Sequence, residues 1–175
     1  MKTKNMAIIA LCTALIIVGA YIKIPLPTVP LTLQWFFVMA IADIIGKGRA
    51  SISAGLYVIL GLVGLPVFTT GGGFWSILSP TFGYSLGFIV TAFLIGYLSE
   101  KGMNLFLANA IGTAVLYALG GAYGYVILNF FTEGSGITLK ALVWSFMVLP
   151  LPGDIIKIVV ASIVAKRVKK AVPNI

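Results

Sequence analysis

Apolar runs long enough to cross a lipid bilayer follow one another through most of this sequence of 175 residues. A transmembrane helix needs about 20 residues that are mostly apolar. Apolar residues make up 60% of the chain and charged residues only 9%. A chain with so few charges has too little polar surface to coat a soluble globule. We therefore predict an all-α integral membrane protein that forms a single membrane domain over residues 1–175.

Six transmembrane helices are predicted from the places where charges, prolines and glycine-rich turns interrupt the apolar runs. The predicted spans cover approximately residues 6–24, 31–45, 50–65, 82–98, 104–129 and 139–168. The last run is too long for one straight span. Because Pro150 and Pro152 lack backbone donors, we predict a break at residues 150–153. Non-helical backbone at membrane depth is tolerated where it lines a cavity, so the break also predicts a cavity.

Basic residues are distributed unequally between the two ends of the predicted spans. With the N-terminus inside, the cytoplasmic side holds Lys2, Lys4, Lys47, Arg49, Lys101, Lys166, Arg167, Lys169 and Lys170, and the outer side holds Lys23 and Lys140. Cytoplasmic loops carry an excess of lysine and arginine. We therefore predict a multi-pass protein of the cell membrane with both termini in the cytoplasm. The loops of residues 25–30, 66–80 and 130–138 then lie outside.

Several chemistries lack the residues that they need. The chain contains no histidine, one cysteine (Cys12) and four acidic residues that fall at separate places in the sequence. We therefore predict no catalytic residues, no metal site and no cofactor. The net charge of +8 sits between apolar blocks and not beside exposed aromatic residues, so we predict contact with the lipid bilayer and no nucleic-acid partner.

Asp154 and Lys157 are the most informative polar pair. They lie three residues apart, on one face of the final predicted helix. Ionisable residues inside a membrane are expensive and usually mark a site or a pathway. Asp154 follows Pro152-Gly153, where it is a natural helix N-cap and where free backbone N–H groups favour an anion. We predict a ligand site in which Asp154 accepts from N–H groups and Lys157 holds a carboxylate. The alternative is a cap with a structural ion pair.

Two outer loops supply further candidate binding residues. Thr32 and Gln34 open the second predicted span at its outer end, where an amide can donate and accept; the alternative is hydrogen bonding between helices. In the long outer loop, Gly73 permits close backbone approach, and Trp75 and Tyr84 offer apolar faces with polar tips. The alternative for these aromatic residues is an interfacial belt.

Small residues form one face of the first predicted helix. Ala10 and Ala14 are spaced so that another helix can approach closely.

Four ordered motifs of this sequence resemble the BioY family. They are IPLPTVPLTLQ at residues 24–34, GLVGLPVF at 61–68, SPTFGY at 79–84 and LPGDIIK at 151–157. BioY proteins are the biotin-binding S components of energy-coupling-factor (ECF) transporters. The resemblance covers nearly the whole chain.

The resemblance implies a fold, a ligand and partners. The implied fold is an S-component-like bundle of six transmembrane helices, with outer-face loops that close over a ligand cavity. Asp154 and Lys157 match the family's Pro-Gly-Asp-x-x-Lys binding motif, and Ala10 and Ala14 match its Ala-x-x-x-Ala docking motif. The implied partners are biotin, a transmembrane coupling protein and two cytoplasmic ATPase subunits. The implied function is binding and translocation of biotin, energised in trans by the ATPases.

Two other function classes remain as alternatives. A stand-alone vitamin facilitator needs the same kind of membrane bundle, although one Asp/Lys constellation suits a saturable site better than an open pore. A small membrane enzyme is disfavoured by the lack of histidine and of a carboxylate pair.

Overall fold

The computed structural model describes residues 3–25, 29–132 and 136–172. Its helices are α1 (Thr3–Tyr21), α2 (Gln34–Ile45), α3 (Lys47–Leu62), α4 (Phe82–Glu100), α5 (Leu105–Val126), α6 (Leu139–Val143) and α7 (Leu151–Ala171). A two-stranded hairpin, β1 (Lys23–Ile24) and β2 (Leu31–Thr32), joins α1 to α2, and a 3-10 turn spans Phe74–Leu78.

These elements make six helical units, because α6 and α7 follow one another almost without interruption. Within the described ranges, four helical segments are long and apolar enough to cross a membrane: Thr3–Tyr21, Phe82–Glu100, Leu105–Phe131 and Leu139–Ala171. The helix Gln34–Ile45 is apolar but shorter. The predicted bundle of six helices is confirmed.

The described residues include a short two-stranded hairpin between α1 and α2, and the predicted all-α class of the bundle is confirmed. Lys23 pairs with Thr32, and Ile24 pairs with Leu31 in an antiparallel register. The first helix ends at Tyr21, before the predicted limit of residue 24. Ile24 precedes Pro25, and the residue before a proline is disfavoured in helical conformation and favoured in extended conformation. The extended strand β1 therefore follows the end of α1 and pairs with β2.

The short helix α2 lies in the middle of the bundle, against α1, α3, α4 and α7. Trp35, Val38, Met39 and Ala42 are all buried, as expected for a helix that is mostly apolar. Gly46 follows α2 with a φ of +81°, a conformation that favours glycine, and α3 starts at the next residue. This turn places α3 beside α2.

The end of the chain differs from the predicted break at residues 150–153. A π-helical turn spans Trp144–Val148, a tight turn follows at residues 149–150, and α7 begins at Leu151. Pro152 lies in the first turn of α7, where a missing backbone N–H costs no helical hydrogen bond. Residues 151–153 are therefore helical, and the interruption is shorter than predicted.

Apolar side chains cover much of the outside of the bundle. On α7, Ile155 is 52% exposed and Ile156 is 65% exposed, and Val159 is also exposed. Aliphatic side chains on the outer faces of long apolar helices suit contact with lipid tails. Length, composition and surface together identify a membrane protein.

Candidate ligand-binding site

A cleft opens where the hairpin and the loop of residues 63–81 meet the ends of five helices. Its empty volume is about 700 Å³, counting the open mouth. The lining includes Thr32, Gln34, Trp35, Tyr57, Phe68, Ser76, Tyr84, Phe88, Tyr117, Pro150, Asp154 and Lys157. A cavity was expected at the proline interruption, and Pro150 does line this one.

Asp154 and Lys157 lie on the buried face of the first turns of α7. Lys157 Nζ is 2.6 Å from Asp154 Oδ1, and both side chains are more than nine-tenths buried. Asp154 is not the N-cap that its sequence position suggested, because its backbone N–H already donates to Pro150 O at 3.0 Å. Its carboxylate is therefore free of capping and points into the cleft.

Tyr117 of α5 completes this polar group. Its hydroxyl donates to Asp154 Oδ2 at 2.6 Å, so each oxygen of the carboxylate has one donor. Sequence reasoning missed Tyr117. The available signal was the four-residue spacing of Asn109, Thr113 and Tyr117, which puts three polar side chains on one face of α5.

Gln34 is the first residue of α2 and is 4% exposed. Its Nε2 donates to the Tyr57 hydroxyl of α3 at 2.8 Å, and the Thr32 hydroxyl donates to Gln34 Oε1 at 3.4 Å. The Gln34–Tyr57 contact is therefore a hydrogen bond between helices, which the sequence analysis gave as the alternative role of Gln34. Thr32 and Gln34 also line the cleft.

Tyr84 lines the cleft from α4. Its hydroxyl donates to Phe146 O at 2.6 Å, and its ring stacks on the Phe146 ring with centroids 6.2 Å apart. Gly120 lets α5 pack against this ring, because a Cβ there would come within 2.7 Å of Tyr84 Cε1. Tyr84 is thus fixed by the π-helical turn that precedes α7.

Gly73 and Trp75 lie outside the cleft, in contrast to their predicted place in the site. Trp75 is 82% exposed, and Gly73, with a φ of +104°, donates its N–H to Gly61 O at 2.7 Å. Both residues border or form the 3-10 turn of Phe74–Leu78, which directs Ser76 towards the cleft instead. Successive side chains of a 3-10 turn point in different directions. Ser76 can therefore line the cleft while its neighbour Trp75 is exposed.

Aromatic side chains form much of the wall of the cleft. Trp35 stacks on Phe88 with centroids 5.9 Å apart, and Tyr57 meets Phe68 edge to face at 5.3 Å. Trp35 is also held by a hydrogen bond of 3.0 Å from its Nε1 to Thr113 Oγ1. Sequence reasoning missed these residues, because aromatic residues in apolar runs give no signal of which side they face.

The arrangement can hold a ligand with an apolar body and a polar end. A carboxylate offers about four acceptor positions, and the Asp154 oxygens use two in the contacts with Lys157 and Tyr117. An ammonium has three donors, so Lys157 can donate to a ligand while it contacts Asp154. Among the described residues, no three His, Cys, Asp or Glu side chains come together as a metal site.

Ala10 and Ala14 lie on the exposed side of α1. The opposite side of this helix packs into the bundle through Ile9, Cys12, Thr13 and Ile16. The alanine face is thus left uncovered by the parts of the chain that the structure describes.

Comparison with known proteins identifies relatives of this chain. Residues 1–174 match the model of the BioY family. The biotin transporter BioY of Thermotoga maritima is 42% identical over 166 residues, which are 90% of this chain and 91% of that protein. A probable biotin transporter BioY of Lysinibacillus sphaericus is 44% identical over 133 residues, which are 73% of this chain and 68% of that protein.

A solved structure has the same fold. It is the crystal structure of the S-component for biotin from an ECF-type ABC transporter, with a TM-score of 0.78 and 29% sequence identity. The match covers 97% of this chain and 92% of that chain. The residues of the cleft, the bundle that carries them and the match along residues 1–174 lead to one conclusion: the chain belongs to the BioY family.

Proposed function

We propose that this chain is the biotin-binding and translocating membrane subunit of an ATP-driven ECF importer. The observation that carries the proposal is the buried Asp154–Lys157 pair, held by Tyr117 in a cleft with aromatic walls. Relatives named biotin transporters and the similar S-component for biotin support biotin as the ligand. Because the relatives are transporters, translocation and not an enzymatic reaction is the proposed activity.

The polar end of the proposed ligand is the ureido ring. A ureido group has two N–H donors and one carbonyl acceptor. Asp154 accepts from an N–H group, and Lys157 donates to the carbonyl. This assignment replaces the sequence-based prediction that Lys157 holds the ligand carboxylate. Two groups whose charged atoms are 2.6 Å apart are poorly placed to serve opposite ends of an extended molecule.

The carboxylate end of biotin is then proposed to lie near the mouth of the cleft. Thr69, Thr70, Ser76, Ser79 and Thr81, all from the loop of residues 63–81, contribute hydroxyl-bearing residues to the lining. A carboxylate loses less hydration at a polar, open rim than in an apolar interior. The fused rings lie between Trp35, Phe88 and the other aromatic walls, where apolar atoms leave water.

The cleft is proposed to open to the outside of the cell. Six crossings with both termini in the cytoplasm put Lys47, Arg49 and Lys101 on the inner side, as the distribution of basic residues favours. Helix ends alternate between the two sides of such a bundle. The hairpin, the loop of residues 63–81 and the start of α7 then share the outer side.

The proposed partners are those of an ECF importer. They are a transmembrane coupling protein and two cytoplasmic ATPase subunits, since S components carry no ATPase of their own. The exposed alanine face of Ala10 and Ala14 is the proposed contact with the coupling protein, because small side chains let helices approach closely.

Titration of the purified chain in detergent with biotin tests the proposed ligand. We expect saturable binding of one biotin per chain. Asp154→Asn removes the charge of the proposed acceptor and should weaken binding of biotin, and Trp75→Ala, an exposed substitution outside the cleft, serves as the matched control. A wild-type chain that is folded but binds no biotin would contradict the proposed function.

A further inference from the structure

A second buried polar cluster lies away from the ligand cleft, where α2, α5 and α7 approach each other. Its members are Asp43 of α2, Asn109 of α5 and Ser162 of α7, with exposed fractions of 1%, 0% and 0%. Asp43 lies nine residues after Gln34, roughly 13 Å along the helix. The ligand cleft does not include any of the three residues.

The side chains of this cluster can donate three hydrogens, two from the Asn109 amide and one from the Ser162 hydroxyl. All three are already in hydrogen bonds. Asn109 Nδ2 donates to Asp43 Oδ2 at 2.9 Å and to Ser162 Oγ at 3.0 Å, which uses both hydrogens of the amide nitrogen. The Ser162 hydroxyl donates to Ile158 O at 2.8 Å. No donor of the three side chains is left for another acceptor.

Two acceptors of the cluster have no donor. Asp43 Oδ1 and Asn109 Oδ1 are both buried, and neither has a hydrogen-bond partner among the residues that the structure describes. Buried polar atoms without a partner are costly and rare. The two orphan atoms belong to the two side chains that already share a hydrogen bond through their other polar atoms. Both side chains therefore need a further hydrogen-bond donor.

We propose that Asp43 is a proton-binding site. In its acid form, Asp43 donates from Oδ1 to Asn109 Oδ1, while Asn109 Nδ2 donates to Asp43 Oδ2. The two side chains then form a closed ring with two hydrogen bonds, in which each polar atom has a partner. The same proton removes a negative charge from a fully buried position, where an ionised carboxylate is expensive.

The nearby basic residue of α7 does not supply the missing donor. The ammonium of Lys169 donates to the Ser99 hydroxyl of α4 at 2.9 Å. Asp43 Oδ1 has no hydrogen-bond partner in spite of this cation. A proton on Asp43 supplies the missing donor, whereas Lys169 donates to Ser99.

The neutral ring has a consequence for the bundle. Its helices also carry residues of the ligand cleft: Gln34 on α2, Tyr117 on α5 and Asp154 on α7. The Asp43–Asn109 ring and the Asn109–Ser162 hydrogen bond connect these three helices at a second place in the bundle, away from the ligand cleft. Protonated Asp43 thus helps to hold the helices that form the cleft.

Infrared difference spectroscopy of the purified, ligand-free chain at neutral pH tests the proton directly. The chain has only four acidic side chains, so few carboxyl groups contribute to the spectrum. We expect a carbonyl stretch of a protonated carboxylic acid in the wild type. It should disappear in Asp43→Asn and persist in Asp154→Asn. If the wild-type and Asp43→Asn spectra do not differ in this region, Asp43 is ionised and the proposal is wrong.

Thermal unfolding tests the ring. Asp43→Asn replaces the acid O–H with an amide N–H, so the ring is kept and the melting temperature should stay within about 2 °C of the wild type. Asn109→Leu leaves the acid without its acceptor and should lower the melting temperature by roughly 3–10 °C. An Asn109→Leu chain as stable as the wild type would overturn the ring. If this variant does not fold, the infrared comparison still decides the protonation of Asp43.

Discussion

Tyr117 donates its hydroxyl hydrogen to Asp154 Oδ2 at 2.6 Å, and this bond ties α5 to the first turns of α7. Lys157 donates to the other oxygen of the same carboxylate at 2.6 Å. A carboxylate with one fixed donor on each oxygen has a defined rotamer, so its remaining lone pairs point in fixed directions. In the proposed binding site, the Asp154 carboxylate is thereby arranged before biotin arrives, which would lower the entropy lost on binding.

Removal of the Tyr117 hydroxyl should therefore weaken the proposed binding of biotin. Tyr117→Phe leaves the ring in place but removes a hydrogen bond to a charged group, which contributes about 1.5–3 kcal/mol. We expect affinity to fall by about 10- to 150-fold in calorimetric titration. Tyr125→Phe, at a tyrosine that is 37% exposed, is the matched control and should bind as the wild type does. Equal affinities of Tyr117→Phe and the wild type would mean that Tyr117 does not organise the site.

Amidated biotin can show which end of the ligand Lys157 contacts. Lys157→Ala leaves Asp154 buried without its cationic partner, a change that costs about 2–5 kcal/mol and lowers affinity by about 30- to several-thousand-fold. If Lys157 meets the ureido end, biotin and biotin amidated at its carboxylate should lose affinity by the same factor. A much larger loss for the acid than for the amide would assign Lys157 to the carboxylate end.

The 3-10 turn of Phe74–Leu78 should contribute to the site through Ser76 and not through Trp75. Trp75 is 82% exposed, so Trp75→Ala should keep the affinity for biotin within about twofold of the wild type. Ser76 lines the cleft, and Ser76→Trp should lower affinity by roughly 5- to 150-fold because the larger side chain competes for the same space. A strong loss in Trp75→Ala would indicate that this turn moves onto the bound ligand.

The proposed topology can be tested by labelling single cysteines in intact cells. In a Cys12→Ser background, Thr132→Cys should react with a membrane-impermeant maleimide, and Lys101→Cys should react only after the membrane is opened. Both positions are exposed. The expectation follows from the excess of lysine and arginine on the proposed cytoplasmic side. The reverse labelling pattern would place the cleft on the cytoplasmic side.

Docking through the alanine face of α1 predicts a separation of binding from uptake. Ala10→Trp and Ala14→Trp should abolish biotin uptake in cells that contain the partner subunits, because a bulky side chain prevents close helix approach. Binding of biotin to the purified variants should be unchanged, since both residues are exposed and lie outside the cleft.

Helix α5 offers a matched control for this experiment. Ala110 and Ala114 are also exposed and four residues apart. Ala110→Trp and Ala114→Trp should leave uptake unchanged if only the α1 face docks. Uptake that survives in Ala10→Trp and Ala14→Trp would remove this face from the proposed interface.

Sequence alone determined the membrane class, the six helices and the Asp154–Lys157 pair. Apolar runs, their charged ends and a three-residue spacing are local properties, and each follows from the solvent that surrounds a helix or from helix geometry. The same locality explains why Thr32, Gln34 and Tyr84 could be named as candidates, because each lies at the start of an apolar run.

Only the tertiary structure decided which residues meet across helices. Tyr117 reaches Asp154 from 37 positions away, and Asn109 reaches Asp43 from 66 positions away. In a membrane bundle, apolar residues occur on lipid-facing and buried sides alike, so hydropathy does not reveal which face of a helix is buried. Helix packing settles that choice, and it brings Tyr117 into the cleft while it leaves Trp75 exposed.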